Sequence, residues 1–133
     1  MYSIEKTYVI NASRHDVWQA LVNPNRVSQW SSAPAQAGDR VGTQFSLWQG
    51  HLWGTITAAE PGRILEQAWH SVDMEQDEPT TVTFHLDDAA DGGTVLRLRH
   101  DNIVSANNQR SFATGWDDKY VGPLKRFVEG VRT

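Results

Sequence analysis

The chain reads as an α+β protein in which a curved antiparallel sheet wraps a long C-terminal helix, and two periodicities carry that reading. Between Asn107 and Val131 the residues Phe112, Trp116, Tyr120, Leu124 and Val128 recur every fourth position, so on a helix they form one slowly drifting apolar stripe that needs a wall. Upstream, apolar and polar residues alternate with the period of strands buried on one face. At 133 residues the chain has the size of one domain, spanning 1-133. Such a domain buries roughly two thirds of the surface its unfolded chain exposes.

The first strand is predicted from Tyr2 to Ile10, with Tyr2, Ile4, Tyr8 and Ile10 on one face and Ser3, Glu5 and Thr7 on the other. Ser13 is a good N-cap with Asp16 three residues on, and Ala12 and Val17 form a hydrophobic staple, so Arg14 to Val22 is predicted helical. Asn23-Pro24 ends that helix. A second short helix is expected from Asn25 to Trp30, before a loose Ser/Ala/Pro/Gly segment. From Val41 the chain becomes a meander: Gln44 to Trp48 and His51 to Ala59 flank Gln49-Gly50, and Glu60-Pro61-Gly62-Arg63 turns the chain into Ile64 to His70. An acidic loop leads to Thr80 to Leu86, and Asp87 to Gly93 joins that strand to Thr94 to His100. Within the terminal helix, Gly115 and Gly122-Pro123 interrupt the pattern, and an interior proline predicts a kink or break near Val121.

Composition excludes several kinds of function. Cysteine is absent, so disulfides, thiolate nucleophiles and the usual structural zinc sites are ruled out. The formal net charge is -4 and the basic residues are scattered, which argues against a nucleic-acid partner. No basic, apolar leader opens the chain and no apolar run approaches a membrane span, so a soluble cytoplasmic protein with no membrane partner is expected. Covalent and nucleotide chemistry lack their motifs: there is no Gly-x-Ser-x-Gly elbow, phosphate loop or dinucleotide fingerprint. His51, His70, His85 and His100 sit on separate strands without ligand spacing, so no metal and no cofactor are expected. Asp117 and Asp118 diverge by about 100° on a helix and read as a solvated face.

The order of these signals resembles one family. Ile10-Asn11-Ala12-Ser13-Arg14-His15-Asp16-Val17-Trp18 with Leu21 and Trp30, Gly54 with Ile56, Pro61 with Leu65 and Trp69, Gly93-Thr94 with Leu96, Leu98 and His100, and Gly115-Trp116 look like the C-terminal domain of the heat-shock protein 90 ATPase activator. That family lies in the START-like, or SRPBCC, helix-grip superfamily. The resemblance implies six to seven antiparallel strands gripping the terminal helix, with a hydrophobic cavity between. Gly122-Pro123 departs from the family pattern. Superfamily relatives include lipid and hormone carriers, polyketide cyclases and aromatases, and fold alone does not choose among them. The chain has no room for the separate N-terminal domain of the full activators, so a chaperone partner is not carried over.

Strand parity names the candidate site. Leu96, Leu98 and His100 share the helix-facing side, as do Leu65, Gln67 and Trp69, and also Val82, Phe84 and Leu86, while His70 and His85 point outward. Trp48 and Trp53 stay ambiguous, because both alternating sets of their hairpin contain apolar residues. The expected ligand-binding set is Trp69, Leu96, Leu98, His100, Phe112, Trp116 and Tyr120, around a small apolar or aromatic molecule. One alternative is a cyclase- or hydrolase-type enzyme in which His100 or Tyr120 polarises a carbonyl. A chaperone-associated interaction module is the other, and a homodimer is compatible with any of the three.

Overall fold

The computed structural model describes residues 1–130. Strand β1 (Tyr2–Ile10) leads into α1 (Arg14–Val22) and α2 (Pro24–Ser31), followed by β2 (Gln44–Leu47), β3 (Leu52–Glu60), β4 (Ile64–Ser71), β5 (Thr80–Asp88) and β6 (Thr94–Ile103). These six strands make one antiparallel sheet in the order β1-β6-β5-β4-β3-β2. The meander from β2 to β6 therefore closes against the first strand, and the two short helices span the sheet to reach its far edge.

Local chemistry sets the boundaries. The Ser13 hydroxyl accepts the Asp16 N–H at 3.1 Å and starts α1. Asn23 both ends α1 and caps α2, whose first residue, Pro24, has no N–H to leave unsatisfied. Strand β2 stops at Leu47, one residue earlier than expected. Trp48, Gln49 and Gly50 then take left-handed backbone conformations (φ 53°, 56° and 87°), and β3 begins at Leu52. Trp48 thereby leaves the strand alternation, so strand parity does not apply to it.

The inner face of the sheet carries Leu65, Val82, Phe84, Leu86, Leu96 and Leu98, all at most 2% exposed. Against this wall lies the C-terminal helix, which runs without a break as α3 (Ala106–Gly115), a π-helical segment (Trp116–Val121) and α4 (Gly122–Gly130). Val131, the predicted helix end, lies outside the described residues. The stripe predicted from sequence meets the sheet: Phe112, Trp116, Tyr120, Leu124 and Val128 are all buried. Burial of side chains of this size contributes about 1.5–3 kcal/mol each.

The expected kink takes the form of a widened turn. Gly122 donates its N–H to the Asp117 carbonyl, five residues back, and keeps ordinary right-handed helical angles. A Cβ on Gly122 would overlap that carbonyl oxygen, so the wide turn requires glycine there. Pro123 has no N–H, and its missing bond falls where the ladder has already changed step.

Candidate ligand site between the sheet and the C-terminal helix

Aromatic rings from every layer meet over the middle of the sheet. Trp69 of β4 packs edge-on against His100 of β6 (centroids 4.7 Å) and Phe112 of α3 (5.2 Å), and lies 5.8 Å from Trp116. Phe84 of β5 stacks on Tyr120 at 5.9 Å. Tyr120 in turn meets Trp30 of α2 at 4.8 Å and Trp48 at 6.4 Å. The pairs are mostly tilted or edge-to-face, the arrangement that ring quadrupoles favour.

Polar atoms within this cluster are chained. Trp116 donates Nε1–H to His100 Nδ1 at 3.0 Å, so the imidazole proton sits on Nε2, which donates to Thr80 Oγ1 at 2.8 Å. Thr80 Oγ1 donates onward to the Trp69 carbonyl at 3.0 Å. His100 is wholly buried, and desolvation pulls its pKa down to about 3 against a weaker upward pull from Asp101. It is a neutral structural imidazole with both nitrogens engaged, which leaves none free to exchange a proton with a ligand.

Among the indoles that line the pocket and groove, one N–H lacks a partner. Trp30 donates to the Ala20 carbonyl at 2.7 Å and Trp48 to the Ser31 carbonyl at 3.0 Å, whereas buried Trp69 Nε1 has no partner. Trp69 lines a pocket of about 100 Å³ together with Trp48, Leu52, Phe112, Trp116 and Tyr120. Trp48, His51 and Lys119 also wall an adjoining groove of about 850 Å³ between α2 and α4, lined further by Trp30, Pro123, Arg126 and Phe127.

Of the residues predicted to line a site, Trp69, Phe112, Trp116 and Tyr120 surround the pocket. Leu96, Leu98 and His100 face the helix as predicted but lie behind the rings, as solid core. Most of the space between sheet and helix is filled with side chains, and the open volume lies at the end near the β2–β3 turn. Sequence reasoning left Trp48 open and missed His51, Gly115 and Lys119. A signal existed on the helix: Ser111, Gly115, Lys119 and Pro123 form a second period-four stripe one residue from the apolar one.

Charges frame the site. Asp117 and Asp118 lie on the exposed face as expected, and Asp117 also accepts from Lys6 Nζ at 2.6 Å and Tyr8 Oη at 2.7 Å, tying the helix to β1. Those two bonds hold its carboxyl below the usual value, and burial followed by the bond to Asp117 pushes the Tyr8 phenol up. At the mouth, His51 Nε2 and Asp73 Oδ2 are 2.9 Å apart. Burial alone raises the pKa of Tyr120, so its hydroxyl stays protonated. Among the described residues no group of three or more His, Asp or Glu side chains converges as a metal site requires, and no helix is long and apolar enough to cross a membrane.

A sheet of six antiparallel strands curled around a terminal helix, with an aromatic pocket at one end of the groove, defines the helix-grip class of START-like proteins. Within that class, the chain belongs to the family described as activator of Hsp90 ATPase homolog 1-like protein, whose profile matches residues 11–129. Among solved structures it resembles an HSP90 activator from Plasmodium falciparum (TM-score 0.87, 20% identity, 97% of each chain). It also resembles the Aha1 dimer of Colwellia psychrerythraea (0.83, 20%, 97% of each chain). The third comparison is CalU16 from Micromonospora echinospora (0.78, 28%, 98% of this chain and 79% of that one). A curated protein from Schizosaccharomyces pombe is 27% identical over 129 residues, covering 92% of this chain. This chain spans only 36% of that relative's length.

Proposed function

We propose that this protein binds a small apolar or aromatic molecule, with its inner end in the pocket beside Trp69, Trp116 and Tyr120 and its body in the groove. One observation carries the reading. Trp69, whose side chain lines an opening where the other indoles are satisfied, keeps its Nε1–H as a buried donor with no acceptor. An unmet buried donor costs about 1–3 kcal/mol, and a bound carbonyl, ether or phenol oxygen removes that cost. The pocket alone suits a single ring or chain end; pocket and groove together reach the size of ordinary ligand sites. Native mass spectrometry of gently purified protein is the direct test, and a bound mass released on denaturation is expected. The reading fails if the protein is bare and a panel of flat aromatic compounds leaves its melting temperature unmoved.

A second reading, an enzyme of cyclase or hydrolase type, gains support from the His51–Asp73 pair at the pocket mouth. The carboxylate orients the ring through Nε2, and Nδ1 bonds nothing among the described residues, as a general base would require. This moves the acid–base role from His100 to His51. Unchanged turnover of an identified substrate by His51→Ala would remove that role. The dimer formed by the Colwellia relative makes a homodimer the oligomeric state to test, by light scattering.

A further inference from the structure

The charges lining the groove narrow the ligand class, and this inference rests on the binding reading above. The protein is acidic overall, at formal net charge -4, yet no Asp or Glu lines the groove, whereas Lys119 and Arg126 do. Neither cation has an ion pair among the described residues, a state shared with Arg26, Arg40, Arg63 and Arg110; what sets these two apart is that both wall an apolar groove that no carboxylate lines. Both line the same groove, one on the widened turn and one on α4, and they bracket Pro123 in sequence. The carboxylate facing them from the inner pocket is Asp73, and it is already engaged by His51 at 2.9 Å.

We infer that the ligand is an organic anion: a flat apolar body lying against the aromatic wall, with a carboxylate or sulfonate held at the groove by Lys119 and Arg126. Two unmatched cations beside an apolar strip suit such a molecule, because its charge is met without stripping water from a carboxylate of the protein. Arginine supplies a planar fork for the oxyanion and lysine a mobile point charge. A neutral apolar ligand would leave both cations without a role in recognition.

The test uses a matched pair of dyes that differ in charge, 8-anilinonaphthalene-1-sulfonate and the neutral N-phenyl-1-naphthylamine. The native protein is expected to bind the sulfonate about tenfold more tightly at low salt. The double variant Lys119→Gln/Arg126→Gln is expected to bring that ratio to about one, and Lys119→Glu/Arg126→Glu to invert it. Both side chains are exposed, and an unchanged near-ultraviolet circular dichroism spectrum checks the fold. Gly115→Leu, which fills the inner pocket, is expected to weaken both dyes together. Equal affinities in the native protein, or a ratio that survives charge removal, overturn the anion inference while the pocket reading stands. Binding of neither dye overturns both.

Discussion

Trp116 donates its indole N–H to Nδ1 of His100 at 3.0 Å, and that bond fixes the state of a buried imidazole. The acceptor nitrogen must stay unprotonated, while Nε2–H is committed to Thr80. Folding therefore requires neutral His100, and its folded pKa of about 3 lies below the ordinary 6.5. Between those values the unfolded chain binds more protons than the folded one, so the stabilisation is complete above pH 6.5 and is lost as pH falls toward 3. The slope from this group approaches roughly 1.4 kcal/mol per pH unit. Urea denaturation at pH 7.5, 6 and 5 checks it against His100→Leu. The variant is expected to be less stable by about 1–3 kcal/mol at pH 7.5, because the Trp116 N–H is orphaned, and to lack this part of the slope. Parallel curves for the two proteins would refute the assignment.

Asp117 makes a different pH prediction. Its carboxylate joins Lys6 and Tyr8 on β1 to the widened turn of the helix, and its pKa is held below the ordinary 3.8. The stabilisation is thus present above 3.8 and disappears as pH drops through the folded value. Half of the side chain is exposed, so solvent screening limits the contribution to about 1 kcal/mol. Asp117→Asn is expected to lose that amount at pH 7 and to converge with the native protein in strong acid. High salt should shrink the difference as well. A variant equal to the native protein at pH 7 and low salt would show that the contact contributes nothing.

These two sites mark what the sequence could show. Parity within a strand placed His100, Leu96 and Leu98 facing the helix, because pleating forces alternate residues to opposite sides whatever lies above them. It could not say that Asp117 reaches Lys6 and Tyr8, since that depends on how the helix lies across β1, more than a hundred residues away in sequence. Trp48 stayed open because both alternating sets of its hairpin carry apolar residues. Its left-handed backbone takes it out of the strand pattern and turns its ring toward Ser31 and Tyr120. The position of the open volume was illegible as well, because whether six tryptophans fill a core or line a hole is decided by a few ångströms of packing.

Gly115 and Gly122 are expected to answer alanine in opposite ways. Gly115 has right-handed helical angles and no atom within 4 Å of where its Cβ would be, so neither backbone nor packing calls for glycine. Gly115→Ala should raise stability by about 0.5–1 kcal/mol, the helix-propensity difference. The same methyl on Gly122 meets the Asp117 carbonyl, and Gly122→Ala should cost about 2 kcal/mol or more as the wide turn is forced to rearrange. Thermal melts of both variants decide this. A destabilised Gly115→Ala would mean that the residue serves the fold rather than the open space beside it.

Trp69 and Trp116 offer the same chemical change in two contexts 5.8 Å apart. Replacing either indole by phenylalanine removes similar ring volume, a cost of about 1–2 kcal/mol when the space is not refilled. In Trp116→Phe the bond to His100 goes too, leaving an acceptor buried without a donor, so a total loss of about 2–4 kcal/mol is expected. In Trp69→Phe the change also removes a donor that was unmet in the free protein, and the two effects offset, leaving stability within about 1 kcal/mol of native. The order reverses for binding. If a ligand oxygen is what meets Trp69 Nε1–H, Trp69→Phe lowers affinity by about tenfold while the fold is nearly untouched. Denaturation curves and dye titrations on the same two variants separate these outcomes, and a Trp69→Phe protein that folds and binds like the native one would leave the orphaned indole without a function.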